Sequence, residues 1–329
     1  MNANKAEAET HEKLSYMDAL VKAQQEEMFR DDSVILMGED IATYGGGALF
    51  EHFGEKRIWS TPISENGFTG MAVGAAMTGL RPIVDLTISS FVYLASDPII
   101  NQASKMRYMT GGQMQVPVVF RACLYYGASL AAQHSDRPYS LFMNTPGLKI
   151  IVPSSPSDAK GLLKSAIRDN DPVIVFEDMN LWAKKEMVST DPDHLVPIGK
   201  ADIKQAGDDV TIIAIGGAVP KALIAAKALA KEGISAEVVD PRTLVPLDKA
   251  TLIASVAKTG KCVIVDNAHR TGSPSSEIAA VISEEAFGYL HKPIQRVTTP
   301  DVHIPFSPAL EKTLFPDKDT IIDAVKAIL

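Results

Sequence analysis

Cysteine is scarce in this 329-residue chain: there are two, Cys123 and Cys262, far apart and each set in an apolar run. They have neither metal-ligand nor Cys-x-x-Cys spacing. That excludes a disulfide framework, a zinc site and a redox pair, and leaves two buried reduced thiols. No apolar run is long enough to cross a bilayer. Residues 1–13 are polar and rich in Glu and Ala. They lack the basic-then-apolar order of a secretory signal and the arginine-rich face of a transit peptide, so a cytoplasmic protein is expected. Basic residues form no stripe: 32 Lys and Arg against 40 Asp and Glu give a net charge of -8, which argues against a nucleic-acid partner. Phosphate-binding fingerprints are missing too. Gly45-Gly46-Gly47 is not followed by Gly-Lys-Ser/Thr, and Gly216-Gly217 lacks the Gly-x-Gly-x-x-Gly spacing. Low-complexity tracts and solenoid repeats are absent.

What is present is apolar mass, 46% of the residues, enough for two domains. Helical spacing covers 15–30, with Met17, Leu20, Val21 and Met28 as the apolar face. Short Val- and Ile-rich runs at 33–37, 82–86, 116–120, 149–152 and 173–176 read as buried parallel strands. The stretches 68–78, 97–108 and 157–168 read as helices between them. The fold class is therefore α/β, beginning with an open domain covered on both faces. Residues 184–197 are charged, carry two prolines and keep no period, which marks a linker. A second open α/β domain follows, with strands at 210–215, 236–239 and 262–265 and helices at 220–231, 252–258, 276–286 and 321–328. The division is a polar tail (1–13), a first domain (14–183), a linker (184–197) and a second domain (198–329). A nicotinamide-dependent dehydrogenase shares this doubly wound pattern but would need the fingerprint that is missing.

Three stretches carry candidate chemistry. Thr61-Pro62-Ile63-Ser64-Glu65-Asn66-Gly67 puts Glu65 where a strand gives way to a helix, the usual place for a ligand site in an α/β sheet. A carboxylate there is also what a plain helix N-terminal charge looks like, and spacing alone favours that plainer reading. Gly70 and Gly74 lie one turn apart in the helix that follows. Each costs about 1 kcal/mol against Ala, which makes sense if another backbone packs closely there, as at a subunit interface. His134, in Ala131-Ala132-Gln133-His134-Ser135, lies in a loop beyond a strand, where both structural and functional groups collect. Met37-Gly38-Glu39-Asp40 pairs two acids at a strand end, as a turn, a cap or a site would.

These stretches, taken in order with Gly79-Leu80-Arg81-Pro82, Pro146-Gly147-Leu148-Lys149, Asp158-Ala159-Lys160-Gly161-Leu162-Leu163, Asp240-Pro241-Arg242-Thr243-Leu244 and Pro246-Leu247-Asp248, closely resemble one family. It is the beta chain of the thiamine-diphosphate-dependent decarboxylating component of pyruvate, branched-chain and acetoin dehydrogenase complexes. The likeness runs from about Ser15 to the carboxyl terminus. It implies a transketolase-like pyrimidine-binding domain followed by a transketolase C-terminal-like domain. It also implies cleavage of a 2-oxo acid or acetoin on thiamine diphosphate, with the acyl unit passed to a lipoyl group on a transacylase core protein.

Residue by residue, Glu65 matches the glutamate that hydrogen-bonds the aminopyrimidine ring and favours its imino tautomer. Glu39 matches a second glutamate near that ring, and Phe91 an aromatic residue lining its pocket, although Phe91 reads equally as a core residue. His134 matches a histidine that moves protons in acyl transfer, a task suited to an imidazole. Val118, Ala166, Ile167, Asp169 and Asp171 match a potassium site made mostly of backbone carbonyls, with Asp171 where many relatives have Asn. The chain has no Gly-Asp-Gly. Relatives of this type carry that diphosphate- and magnesium-gripping motif on an alpha subunit. The resemblance thus implies a heterotetramer of two alpha and two beta chains with active sites between them. A non-catalytic scaffold chain is the other reading within the family, opposed by the presence of Glu65 and His134. Residues 121–128 and Asp136-Arg137 depart from the pyruvate enzymes near the substrate. Pro153-Ser154-Ser155-Pro156 and Ala201-Asp202-Ile203-Lys204 are similar to the acetoin enzymes, while the helix at Gly70 is as similar to the pyruvate ones, which leaves the substrate open.

Overall fold

The computed structural model describes residues 10–41 and 46–329. Most of the expected tail and Gly45 of the glycine run lie outside the described residues. The first half holds strands β1 (His11–Ser15), β2 (Val34–Gly38), β3 (Ile58–Ser60), β4 (Arg81–Ile88), β5 (Val119–Leu124), β6 (Lys149–Ile151), β7 (Val173–Asp178) and β8 (Lys185–Ser189). The second holds β9 (Asp202–Gln205), β10 (Val210–Ala214), β11 (Ala236–Asp240), β12 (Thr243–Val245), β13 (Cys262–His269) and β14 (Gln295–Thr299). The helices are α1 (Tyr16–Arg30), α2 (Gly46–Arg57), α3 (Glu65–Met77), α4 (Ser104–Met109), α5 (Tyr139–Met143), α6 (Pro156–Arg168), α7 (Val219–Ala230), α8 (Lys249–Thr259), α9 (Pro274–Glu285), α10 (Pro308–Glu311) and α11 (Lys318–Lys326). Among the described residues, no helix is long and apolar enough to cross a membrane.

Seven strands form the first sheet, in the order β12-β6-β7-β5-β4-β2-β3. All neighbours are parallel except β12, which pairs antiparallel with β6. The apolar runs are buried on both faces because the sheet separates two cores. Val34 and Leu36 of β2 pack with α1 and α6, whereas Ile35 and Met37 face the core that contains α3. This is the two-residue alternation of a pleated strand with helices on either side. The second sheet, β14-β13-β10-β11-β9, is parallel except for its edge strand β9.

Helix α1 starts where Ser15 caps it: the hydroxyl accepts from the Asp18 N–H (3.1 Å), and Asp18 answers the Ser15 N–H (3.4 Å). Its buried face is Tyr16, Ala19, Leu20, Ala23, Gln24, Glu27 and Met28. The expected Met17 and Val21 are only half-buried, so the helix is rotated from the face that hydrophobicity alone suggests. The strand expected at 116–120 begins later, at Val119, because Pro117 has no N–H for the ladder. The helix expected at 97–108 is split into a wide turn, Pro98–Ala103, and α4. The stretches read as tail and linker are not irregular throughout. His11–Ser15 and Lys185–Ser189 pair antiparallel as a two-stranded ribbon, two short polar strands that make sense only together.

Candidate active site

The candidate residues Glu39, Glu65, Phe91 and His134 lie beyond the carboxyl ends of four neighbouring strands of the first sheet, β2, β3, β4 and β5. Strand β2 ends at Gly38, paired with Asp85 of β4. Gly38 has φ of 155°, and a Cβ there would lie 2.2 Å from the Asp85 carbonyl oxygen, so only glycine permits this approach. Glu39 follows. It is 4% exposed, and its Oε2 has no hydrogen-bond partner among the described residues. Burial, with the charges of Glu65, Asp40 and Asp85, pushes its carboxyl up to about 7. Glu65, 5% exposed, is the first residue of α3, just past β3. The nearby Glu65 charge is one of the causes that keep a proton on Glu39.

Phe91 and His134 form the second pair. Near its end β4 kinks at Thr87 (φ 58°), whose N–H donates to Asp85 Oδ1 at 2.9 Å, and the chain then enters a single turn, Ser89–Tyr93, carrying Phe91. His134 ends the short turn Ala132–His134 in the loop after β5. The two rings meet edge to face, with centroids 5.6 Å apart. Asp136 fastens the segments together: its carbonyl accepts from the Ser89 hydroxyl and its carboxylate from Ser90, both at 2.7 Å. Of the five left-handed non-glycine residues among the described ones, Asp40, Thr87, Ser129 and Ala131 lie in these strand-end segments, and the fifth, Arg242, lies between β11 and β12. Such conformations cost energy and collect at functional sites.

Sequence reasoning missed the support beneath these groups. Arg121 of β5 is buried and donates from Nε and Nη2 to Glu177 (2.6 and 3.1 Å) and from Nη1 to Asp85 (3.2 Å) and Gln24 (3.1 Å). Asp85 in turn holds the Thr87 turn and raises Glu39. The available signal was a lone charge inside an apolar strand, at Asp85 and at Arg121. Cys123 and Cys262 are free and buried, and burial pushes both thiols up, which keeps them protonated.

The five residues matched to a cation site gather at the opposite, amino end of the same sheet, before β5 and β7. The Val118 carbonyl accepts from Val173 N–H (3.0 Å) and the Ala166 carbonyl from Asp169 N–H (3.2 Å). Arg81 Nη1 donates to the carbonyls of Ile167 (3.0 Å) and Asp169 (2.9 Å). Lys149 binds the carboxylates of Asp169 and Asp171, and Arg107 binds Asp171 at 2.5 Å. Against the upward push of burial, Arg107 and Lys149 hold the Asp171 carboxyl below its usual range. Gly216-Gly217 serves domain packing: a Cβ on Gly217 would lie 2.0 Å from Asp178 Oδ2. Gly70 and Gly74 are exposed, and among the described residues nothing outside its own helix turn lies within 4 Å of a Cβ on Gly74.

The chain is similar over nearly its full length to known proteins. The transketolase pyrimidine-binding domain matches residues 12–183 and the transketolase C-terminal domain matches residues 199–321. The chain is 43% identical to the beta subunit of acetoin:2,6-dichlorophenolindophenol oxidoreductase from Bacillus subtilis (strain 168), covering 96% of this chain and 97% of that one. It is 42% identical to the 2-oxoisovalerate dehydrogenase subunit beta of the same organism (96% and 98% covered). It is also 42% identical to the pyruvate dehydrogenase E1 component subunit beta of Rickettsia bellii (strain RML369-C), again with 96% and 98% covered. A solved split-gene transketolase, described as an inactive beta4 tetramer, superposes with a TM-score of 0.80 at 26% identity over 96% of this chain and 98% of that one. With both domains matched and these relatives alike over nearly their full length, the chain belongs to the beta subunits of the 2-oxo acid and acetoin dehydrogenases, a transketolase-like, thiamine-diphosphate-dependent family.

Proposed function

We propose that this chain is the beta half of a cytoplasmic dehydrogenase that cleaves a 2-oxo acid or acetoin on thiamine diphosphate and passes the acyl unit to the lipoyl group of a transacylase core. The observation that carries the reading is the Phe91–His134 ring pair beside two buried glutamates, Glu39 and Glu65, at adjoining strand ends of one sheet. The buried Oε2 of Glu39, without a partner among the described residues, and the raised proton affinity of that carboxyl suit a weakly basic aminopyrimidine ring. Bound there, thiamine diphosphate would supply the carbanion chemistry that protein side chains lack. Glu65 would hold and release a proton at the ring nitrogen, Glu39 would press on the same ring, and Phe91 would keep water from it. His134 would move a proton during acyl transfer.

An alpha chain completes the proposal, as a heterotetramer of two alpha and two beta chains, because this sequence has no Gly-Asp-Gly to grip the diphosphate and its magnesium. A split transketolase whose beta tetramer is described as inactive supports the need for such a partner. Co-expression with the alpha chain should give thiamine-dependent turnover on pyruvate, branched-chain 2-oxo acids or acetoin. Tight cofactor binding by the isolated chain in calorimetry, or no turnover of any of these substrates, overturns the reading. Potassium belongs to the same proposal. The carbonyls of Ile167 and Asp169 each keep a second lone pair beside Arg81, so an ion would share them. Exchanging potassium for a bulky organic cation should lower the thermal midpoint, since a bound ion stabilises the folded state by mass action. An unchanged midpoint removes the ion from the proposal.

A further inference from the structure

The carboxyl-terminal segment reaches back across the molecule to the loop that carries His134. Glu311, the last residue of α10, is 1% exposed. One of its carboxylate oxygens accepts the backbone N–H of Gly127 (2.7 Å) and the other that of Ser129 (2.9 Å). Gly127 (φ 71°), Ser129 (φ 57°) and Ala131 (φ 59°) are all left-handed. The loop thus aims alternate N–H groups at a single anion, as a backbone nest does. Two charge-assisted hydrogen bonds are what permit a carboxylate to be buried there. Four residues further on, the Phe315 ring lies 4.8 Å from Tyr126 and 5.0 Å from the Arg137 guanidinium. Arg137 closes the neck of the same loop by donating to the carbonyls of Tyr125 (3.0 Å) and Ser135 (2.5 Å). Lys221 of α7 anchors the bracing segment through the Pro316 carbonyl (2.7 Å).

We propose that Glu311 is a positioning residue for His134: its carboxylate holds Gly127 and Ser129 in their left-handed turn, and that turn keeps the imidazole against Phe91 for acyl transfer. The proposal rests on the acyl-transfer reading given above. Glu311 acts on His134 through the backbone of the loop, at Gly127 and Ser129. Glu311→Gln keeps the shape but turns an amide N–H toward one of the two backbone donors. Glu311→Asp keeps the charge at shorter reach.

Both variants are to be studied in the assembled complex with the alpha chain. In Glu311→Gln, amide hydrogen exchange should rise in the peptide spanning 125–136 and not elsewhere. Acyl transfer to lipoyl should fall by about a hundredfold, the usual cost of a catalytic group misplaced by about an ångström. Turnover with an artificial electron acceptor should stay near that of the unaltered complex. Glu311→Asp should restore part of both losses, and adding Glu311→Gln to His134→Ala should lower transfer no further. Unchanged exchange in the loop, a loosened loop with normal transfer, or equal loss of both activities overturns the proposal. An unaltered complex inert toward lipoyl would instead overturn the functional reading. The two failures are distinguishable because loop exchange reports on Glu311 whatever the substrate.

Discussion

At the residue scale, two carboxylates a strand apart are expected to answer substitution differently. Glu65→Gln preserves shape and hydrogen bonding but cannot carry a proton. Loss of general acid–base help is worth about 10² to 10⁴ in rate, so turnover with the alpha chain should fall at least about a hundredfold with assembly intact. Steady-state kinetics on the co-expressed complex decides it, and near-normal turnover would reduce Glu65 to a helix-start charge. Glu39 should reveal itself through pH. Its carboxyl stands at about 7 in the folded chain against an ordinary 4.5, so the folded state binds the proton more tightly than the unfolded one. The resulting stability is complete below the ordinary value and is lost as pH rises through about 7. Asp240 and Asp266, pushed up to about 7 and about 6 by burial, slope the same way. The informative quantity is therefore the difference between proteins: the melting point of Glu39→Gln should fall less between about pH 5 and about pH 8 than that of the unaltered chain. Parallel curves would mean that Glu39 is an ordinary solvated acid.

At the element scale, glycines in two helices separate packing within the chain from packing beyond it. Gly161 of α6 lies against the 196 segment, where an added Cβ would come within 2.4 Å of the Val196 side chain and 2.9 Å of its nitrogen. Alanine there gains about 1 kcal/mol of helix propensity and meets about 1–3 kcal/mol of overpacking, so the urea midpoint should drop. Gly74 of α3 has open space around it. Gly74→Ala should raise the stability of the isolated chain by up to about 1 kcal/mol. If a partner's backbone packs on that helix, the same change should weaken assembly with the alpha chain in sedimentation. Unaltered assembly would remove α3 from the interface. The glycine pattern was legible because spacing is local. Its open surroundings were not, since they depend on what the fold brings near.

At the scale of the whole molecule, the two halves share structure. Strand β12 comes from the second half yet completes the edge of the first sheet, pairing Thr243 with Ile151. Buried Asp158 of α6 binds Lys204 (2.6 Å) and Arg242 (3.1 Å), both from the second half. Breaking such a buried pair costs about 3–5 kcal/mol, so neither half should unfold while the other stands. Calorimetry of the isolated chain should give one transition with matching calorimetric and van't Hoff enthalpies. Two resolved peaks would show the halves to be independent.

The amino-acid sequence by itself determined the kinds of element and where most of them fall. Val- and Ile-rich runs bounded by Pro or charge, and caps such as Ser15, act over a few residues and need no partner. It also determined which residue types stand at the strand ends, Glu39, Glu65 and His134 among them. Only the tertiary structure decided the rest: that β2 lies beside β4 so that Gly38 meets Asp85, and that Arg121 ties Glu177 to Asp85. The polar β1–β8 ribbon, the three-residue β12 and the reach of Glu311 to Gly127, 184 residues earlier, belong with these. The physical reason is range. Periodicity and capping are contacts between near neighbours along the chain. Strand order, buried ion pairs and loop braces join groups far apart in sequence, and no local pattern records which distant group will be the partner.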